Sequence, residues 1–203
     1  PGAPRRDAVI RLPSLARAAV AGTLVAMLAA CAVPIPIPAP QGADESRSLS
    51  RVGRFALRIE EAGGKQNAVQ GSFAWRDDGS RLALDLVSPL GSTLARVEAV
   101  PGEALLREAS GKETRAADPD ELVAVVLGSE IPVSGLRDWL RGRLAAQPPA
   151  EVAERDEQGR PLVFDQAGWR VTARQYDALG PTRLQMARNE GGQDVDLRLV
   201  INP

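Results

Sequence analysis

Cys31 is the only thiol in this 203-residue chain, and there is no histidine, so few side chains remain for covalent or acid–base chemistry. Without an imidazole there is no Ser-His or Cys-His nucleophile pair and no His-ligated metal, and one cysteine makes neither a zinc-thiolate cage nor an internal disulfide. A Gly-x-Ser-x-Gly elbow is also absent. A carboxylate pair such as Asp77-Asp78 is the remaining catalytic option, although the two precede Gly79 and read first as turn formers. The expectation is a protein that is not an enzyme and holds no metal or cofactor.

The thiol has a different chemistry available. Arg5, Arg6, Arg11 and Arg17 precede an apolar run from Ala18 to Ala30, 13 residues long. That is short of the roughly 20 residues a bilayer-spanning helix needs, and the basic–apolar–small order is that of a secretory signal peptide. Leu28-Ala29-Ala30-Cys31 resembles a bacterial lipobox, in which the cysteine sulfur takes a diacylglyceryl group and becomes the new N-terminus. Several acyl chains together give durable membrane attachment where one is marginal. Residues 1–30 therefore read as a lipoprotein signal peptide.

Residues 31–44 read as the lipidated cysteine and a stalk. Pro34, Pro36, Pro38 and Pro40 alternate with small or apolar residues, which favours an extended polyproline-II segment reaching on the order of 40 Å. Residues 45–203 make one globular domain. Beyond residue 30 the chain carries 21 basic and 25 acidic residues, so it lacks the surplus of Lys and Arg that phosphate backbones demand, and nucleic acid is not an expected partner.

With 3% aromatic residues, the core must rest on aliphatic side chains. From Gly53 onward the chain reads as short alternating runs between Gly, Asp and Asn turns, the pattern of antiparallel strands with one buried face. Phe55, Leu57 and Ile59 share a face. Val69, Gly71, Phe73 and Trp75 alternate up to the hairpin signal Asp77-Asp78-Gly79, and Leu82, Leu84 and Leu86 alternate after it. Thr93–Val100, Glu103–Ala109 and Lys112–Ala116 follow. The period then changes: Asp118-Pro119-Asp120-Glu121 supplies an N-cap, a first-turn proline and a capping-box glutamate, with the helix stopped by Gly128. A second helix is expected over Ser134–Arg141, burying Leu136, Trp139 and Leu140, with Arg137, Asp138 and Arg141 on a solvated face. Strands resume at Glu151–Arg155, Pro161–Asp165, Gly168–Tyr176, Thr182–Arg188 and Asp194–Ile201. About eleven strands around a helical insert predict one strongly curved sheet or barrel, because a flat sheet of that width curls or splits.

Four segments in order behind the lipobox resemble the LolB family of outer-membrane lipoprotein receptors. They are Gly53-Arg54-Phe55, Gly71-Ser72-Phe73-Ala74-Trp75, Ser88-Pro89-Leu90-Gly91-Ser92-Thr93-Leu94 and Ile131-Pro132-Val133-Ser134-Gly135-Leu136-Arg137-Asp138-Trp139-Leu140. The resemblance implies a mainly β fold: an unclosed antiparallel barrel of about eleven strands, capped by short α-helices around an apolar cavity for acyl chains. It implies that acylated lipoprotein cargo passes from the periplasmic carrier LolA to this chain, and from it into outer-membrane lipids. The receptor would be a monomer, lipid-anchored in the bacterial outer membrane and facing the periplasm.

The residue roles follow from the same resemblance. Pro89, Leu90 and Gly91 would form a protruding membrane-insertion loop, and Phe55, Phe73, Trp75, Leu84, Leu86, Trp139 and Trp169 are candidates for the acyl cavity or its lid. A turn leucine left singly exposed and aromatic residues in plain core packing are the competing readings. Family members generally have a helical segment before the first strand, for which only Glu45–Val52 is left here. The alternative function is a lipid-binding or structural lipoprotein of the same fold without transfer activity.

Overall fold

The computed structural model describes residues 48–127 and 129–203. The signal segment, Cys31 and the stalk lie outside the described residues. Eleven strands form one antiparallel sheet: β1 Leu49–Glu61, β2 Gln66–Asp77, β3 Leu82–Val87, β4 Thr93–Val100, β5 Glu103–Glu108, β6 Glu113–Ala116, β7 Glu151–Arg155, β8 Pro161–Gln166, β9 Trp169–Tyr176, β10 Pro181–Glu190 and β11 Gln193–Ile201. Their order is β6-β5-β4-β3-β2-β1-β11-β10-β9-β8-β7. Every neighbour but one is also a neighbour in sequence. The exception joins β1 to β11 at the centre, with Gly53 opposite Ile201 and Glu61 opposite Gln193, and leaves β6 and β7 as free edges of an unclosed sheet. Helices α1 (Pro119–Leu127) and α2 (Val133–Trp139) fill the connection between those edge strands.

Period-two alternation in β1 decides which face is inside. Leu49, Arg51, Gly53, Phe55, Leu57 and Ile59 are buried, whereas Ser50, Val52, Arg54, Ala56 and Arg58 are exposed. The same inward face carries Phe73 and Trp75 of β2, Leu184 and Met186 of β10, and Val195, Leu197, Leu199 and Ile201 of β11. Val69 falls on the inward row by parity but is 42% exposed, so the expected alternation there continues past the edge of the core. Of Glu45–Val52, the stretch left for a preceding helix, Leu49–Val52 is the start of β1, and Glu45–Arg47 lie outside the described residues.

Gly53 and Gly71 let the sheet coil tightly. Gly53 pairs with Phe73 and Gly71 with Phe55, so each ring lies over the glycine opposite it. A Cβ on Gly53 would stand 2.3 Å from the Val200 carbonyl oxygen, and one on Gly71 would stand 2.1 Å from that of Val87. Both obstacles are backbone atoms that cannot swing aside. The glycines opening the Gly-Arg-Phe and Gly-Ser-Phe segments are therefore required by close approach of neighbouring strands.

The helical insert starts as its sequence predicts. Asp118 Oδ1 accepts from the Glu121 N–H at 2.8 Å, and Glu121 Oε2 accepts from the Ala117 N–H at 3.0 Å. Asp120 of α1 accepts from the Ser134 N–H at 2.8 Å and also from its hydroxyl, which joins the start of α2 to the first turn of α1.

Gly71→Ala should lower stability by about 2 kcal/mol or more, since the added methyl meets backbone. Gly63→Ala, where no atom lies within 4 Å of the added Cβ, should stay within about 0.5 kcal/mol of the parent. Urea midpoints of the two variants test the difference.

Candidate functional site: an apolar cavity and an exposed leucine

Between the central strands and the two helices lies a cavity of about 110 Å³ whose lining is apolar throughout. Phe55 and Leu57 come from β1, Phe73 and Trp75 from β2, Leu84 and Leu86 from β3, and Leu197 and Leu199 from β11. The helical insert closes it with Val123, Leu127, Ile131, Val133, Leu136 and Leu140. The structure thus brings Phe55, Phe73, Trp75, Leu84 and Leu86 around one space. Trp139 and Trp169 are not in its wall. Both are buried, Trp139 edge-on to Phe164 with ring centroids 5.9 Å apart, and Trp169 borders a separate surface cleft with Ile131 and Pro132.

The two helices that cover the cavity are held very differently. In α2, Trp139 Nε1–H donates to Gln166 Oε1 at 2.8 Å. The Gln166 amide in turn donates to the carbonyls of Ala145 (2.8 Å) and Pro148 (2.7 Å), so a buried glutamine fastens helix, following loop and β8. Past the end of α2, Arg141 donates to Asp77 Oδ2 at 2.9 Å, and Arg137 of α2 lies 3.3 Å from Asp77 Oδ1. The Asp77 side chain is 2% exposed. This corrects the solvated face expected for Arg137 and Arg141: both turn toward β2, because a carboxylate at an inward strand position needs partners. Asp138 alone keeps the expected setting, paired at 2.9 Å with the exposed Arg143. Asp77 also plays its turn role, accepting from the Gly79 N–H at 2.9 Å. By contrast α1 buries only Leu122 among its residues, while Val125 is 65% exposed.

A second buried charge lies on the inward row. Arg51 donates in a two-pronged contact to Asp177 in the β9–β10 turn, at 2.6 and 2.9 Å, and Asp177 Oδ1 also accepts from the N–H groups of Leu179 and Gly180. The Arg51 guanidinium is the main cause holding the Asp177 carboxyl below its ordinary value. Neither pair stands out as a local sequence motif. The signal was present, since Arg51 and Asp77 each stand in step with an apolar inward row, at positions where alternation demands a hydrophobe.

Leu90 occupies the β3–β4 turn and is 95% exposed. The turn is built to hold it there. Pro89 takes the position where a fixed φ suits a type I turn, the Gly91 N–H donates to the Ser88 carbonyl at 2.9 Å, and Gly91 has φ +87°. The Ser88 N–H donates to the Ser92 carbonyl at 2.8 Å, and Ser88 Oγ accepts from the Ser92 N–H at 3.1 Å. Among the described residues no strand or helix covers the leucine.

Residues 48–203 match the family model described as Outer membrane lipoprotein LolB. The chain belongs to the LolB family. It is 51% identical over 184 residues to the Outer-membrane lipoprotein LolB of Bordetella petrii, covering 90% of each chain. Its identity to the protein of the same name from Cupriavidus necator is 39% over 180 residues, covering 87% of this chain and 90% of that one. Among solved structures, a LolA superfamily protein from Nitrosomonas europaea aligns with a TM-score of 0.41 at 12% identity, over 76% of this chain and 87% of that chain. Within the LolB family frame, the apolar cavity and the exposed leucine turn are the two features that set this domain apart from a plain filled sheet.

Acid should loosen the domain through Asp177. Its folded pKa lies below the ordinary 3.8 because of Arg51, so the unfolded chain binds the proton more readily, and the pair's stabilisation is present above that value and lost as pH falls through the folded pKa. Asp177→Asn should flatten this acid limb, measured as urea midpoints between about pH 5 and pH 2.

Proposed function

We propose that this chain is an outer-membrane-anchored receptor that takes acylated lipoproteins from a periplasmic carrier of the LolA type, holds their acyl chains in the apolar cavity and releases them into the membrane. The observation that carries the reading is the cavity wall, apolar at every one of its positions and assembled from both the sheet and the helical insert. Hydrocarbon chains are recognised by burial, at about 25 cal/mol per Å², and need no directional polar partner. Membership of the LolB family, whose relatives carry the name outer-membrane lipoprotein, supports the same reading.

The size of the cavity adds a step. At about 110 Å³ it is smaller than the roughly 300–1,000 Å³ of sites that enclose a ligand, so acyl chains enter by widening it. The helix that yields is α1, since α2 is fixed to β2 and β8 by Asp77 and Gln166. In this reading Cys31 carries the acyl anchor and the segment through residue 44 is the tether. Pro89-Leu90-Gly91 is the element that enters the bilayer during release. Burying one leucine is worth about 1.5–3 kcal/mol, enough to bias a turn that already points outward toward the lipid surface.

The test follows a radiolabelled lipoprotein from a loaded carrier to the full chain reconstituted in vesicles. Cargo should leave the carrier and become resistant to extraction from the vesicles; retention on a competent carrier would favour a lipid-binding or structural role without transfer. Leu90→Glu should still accept cargo, keep its melting temperature within about 2 °C because the site is exposed, and insert at least tenfold less into the membrane. Normal insertion by that variant removes Leu90 from the mechanism.

A further inference from the structure

Charge on the outer face of the sheet is unevenly compensated. Arg58 pairs with Glu60, Arg174 with Glu154 and Arg198 with Asp196, so those guanidinium charges are offset where they stand. Arg54 and Arg183 are exposed and have no carboxylate partner among the described residues; the Arg183 guanidinium donates to the neighbouring Thr182 carbonyl at 3.1 Å. Both stand opposite Val200, Arg54 in the β1–β11 ladder and Arg183 in the β10–β11 ladder. Two strand spacings place these cations about 10 Å apart. Along β1 the outward neighbours of Arg54 are Val52 and Ala56, and on β2 it faces Ser72. None of these neighbours is acidic.

The basic row borders the Leu90 turn. Arg54, Gln70, Ser72, Arg198 and Val200 line an open groove of about 590 Å³ together with Pro89, the residue before Leu90. Val52, Val200 and Leu90 are 47%, 38% and 95% exposed, so apolar side chains and uncompensated cations share one surface. That combination suits the boundary between lipid head groups and acyl chains, where apolar residues enter hydrocarbon and long arginines reach the phosphates. A water-soluble polyanion would leave the valines and the leucine in solvent. The chain beyond residue 30, with 21 basic and 25 acidic residues, also lacks the surplus that a nucleic-acid backbone demands.

We propose that this groove docks the domain on an anionic phospholipid leaflet, with Arg54 and Arg183 meeting lipid phosphates on either side of Val200 while the adjoining Leu90 turn enters the hydrocarbon. The inference rests on the receptor reading, in which that turn meets the bilayer, and deepens it by naming the head-group chemistry the release surface selects. Each arginine held near an anionic surface strengthens attachment about fivefold, and salt screens the effect.

The test reconstitutes the full chain in vesicles of phosphatidylcholine, alone or with about 30% phosphatidylglycerol, and follows amide hydrogen exchange of residues 87–93 by mass spectrometry. The chain is held at both kinds of vesicle, so a difference between them reads the domain's own contact with the head groups. Exchange should be about fivefold slower or more with phosphatidylglycerol, and the difference should vanish near 0.5 M salt, roughly where the Debye length falls to a few Å. Arg54→Gln with Arg183→Gln should bring the two vesicles within about twofold of each other and leave uptake of cargo from the carrier unchanged, since neither residue lines the cavity. Arg115→Gln with Arg155→Gln, on the edge strands β6 and β7, removes the same charge and should keep the slowing. Should the first double variant fail to fold, the salt series on the parent chain decides. Slowing that survives loss of Arg54 and Arg183, or that disappears equally in the edge-strand variant, overturns the inference. Glycerophosphoglycerol added to phosphatidylcholine vesicles should change nothing; slowing equal to that of the lipid would mean a free phosphate ester is the ligand and overturns membrane docking. Equal exchange on both vesicles while cargo still passes into them overturns the inference with the receptor reading intact. Cargo that stays on a competent carrier while the slowing persists overturns the receptor reading alone.

Discussion

An eleven-strand antiparallel sheet has a whole face of alternate side chains to bury, and among the described residues the sixteen of α1 and α2 are its helical cover. The sheet meets most of that demand itself by coiling until its inward rows face one another. Gly53 and Gly71 make the coil possible, and Phe73 and Phe55, each opposite one of these glycines, fill the space a missing side chain would leave. Bending and filling are thus done by the same two cross-strand pairs at the centre of the sheet. Every other inward residue, from Leu82 on β3 to Ile201 on β11, finds its neighbours because the strands approach closely there. The cavity is what remains where this self-coverage stops and the helices take over.

Polar interactions then decide which part of the cover is fixed. Asp77 gathers Arg137 and Arg141, and Gln166 gathers Trp139 and the loop after α2. Removing one member of such a buried set strands the others at a cost of about 3–5 kcal/mol, so α2 behaves as part of the sheet. Helix α1 has its capping residues and the apolar contacts of Leu122, Val123 and Leu127, together with the Asp120–Ser134 link. Breaking apolar contacts that border a cavity costs less than stranding a buried ion pair, and the two halves of the insert therefore differ in how readily they move.

The local features were legible in the sequence, and the long-range ones were not. Alternation in Gly53–Ile59, the capping box at Asp118–Glu121, and the Pro and Gly of the Leu90 turn each depend on residues a few positions apart, where geometry is set by the chain itself. Both helices and the hairpin pairings of the sheet follow from those units and their short turns, whereas the central β1–β11 pairing joins the two ends of the domain and does not. Asp77, by contrast, reads locally as a turn residue, and its partnership with Arg141, 64 positions away, follows only once the helical insert is folded over β2. The Arg51–Asp177 pair spans 126 positions. Periodicity reports the face on which a residue lies and is silent on what arrives there from elsewhere. For the same reason Trp75, Trp139 and Trp169 were alike in sequence, although Trp75 alone reaches the cavity wall.

A small, apolar cavity also bears on how a receptor hands cargo on. A pocket preformed for acyl chains would bind them as tightly as its area allows and then hold them. In the proposed reading α1 gives way first, and the work of opening is subtracted from the gain of burial, because a ligand's apparent affinity falls with the fraction of molecules in the competent state. The bilayer offers the same hydrocarbon burial with no helix to displace. On the proposed reading, cargo in this cavity is bound firmly enough to be captured and weakly enough to leave. The Leu90 turn, held outside the sheet by Pro89 and Gly91, is the part of the domain with nothing to lose by entering lipid.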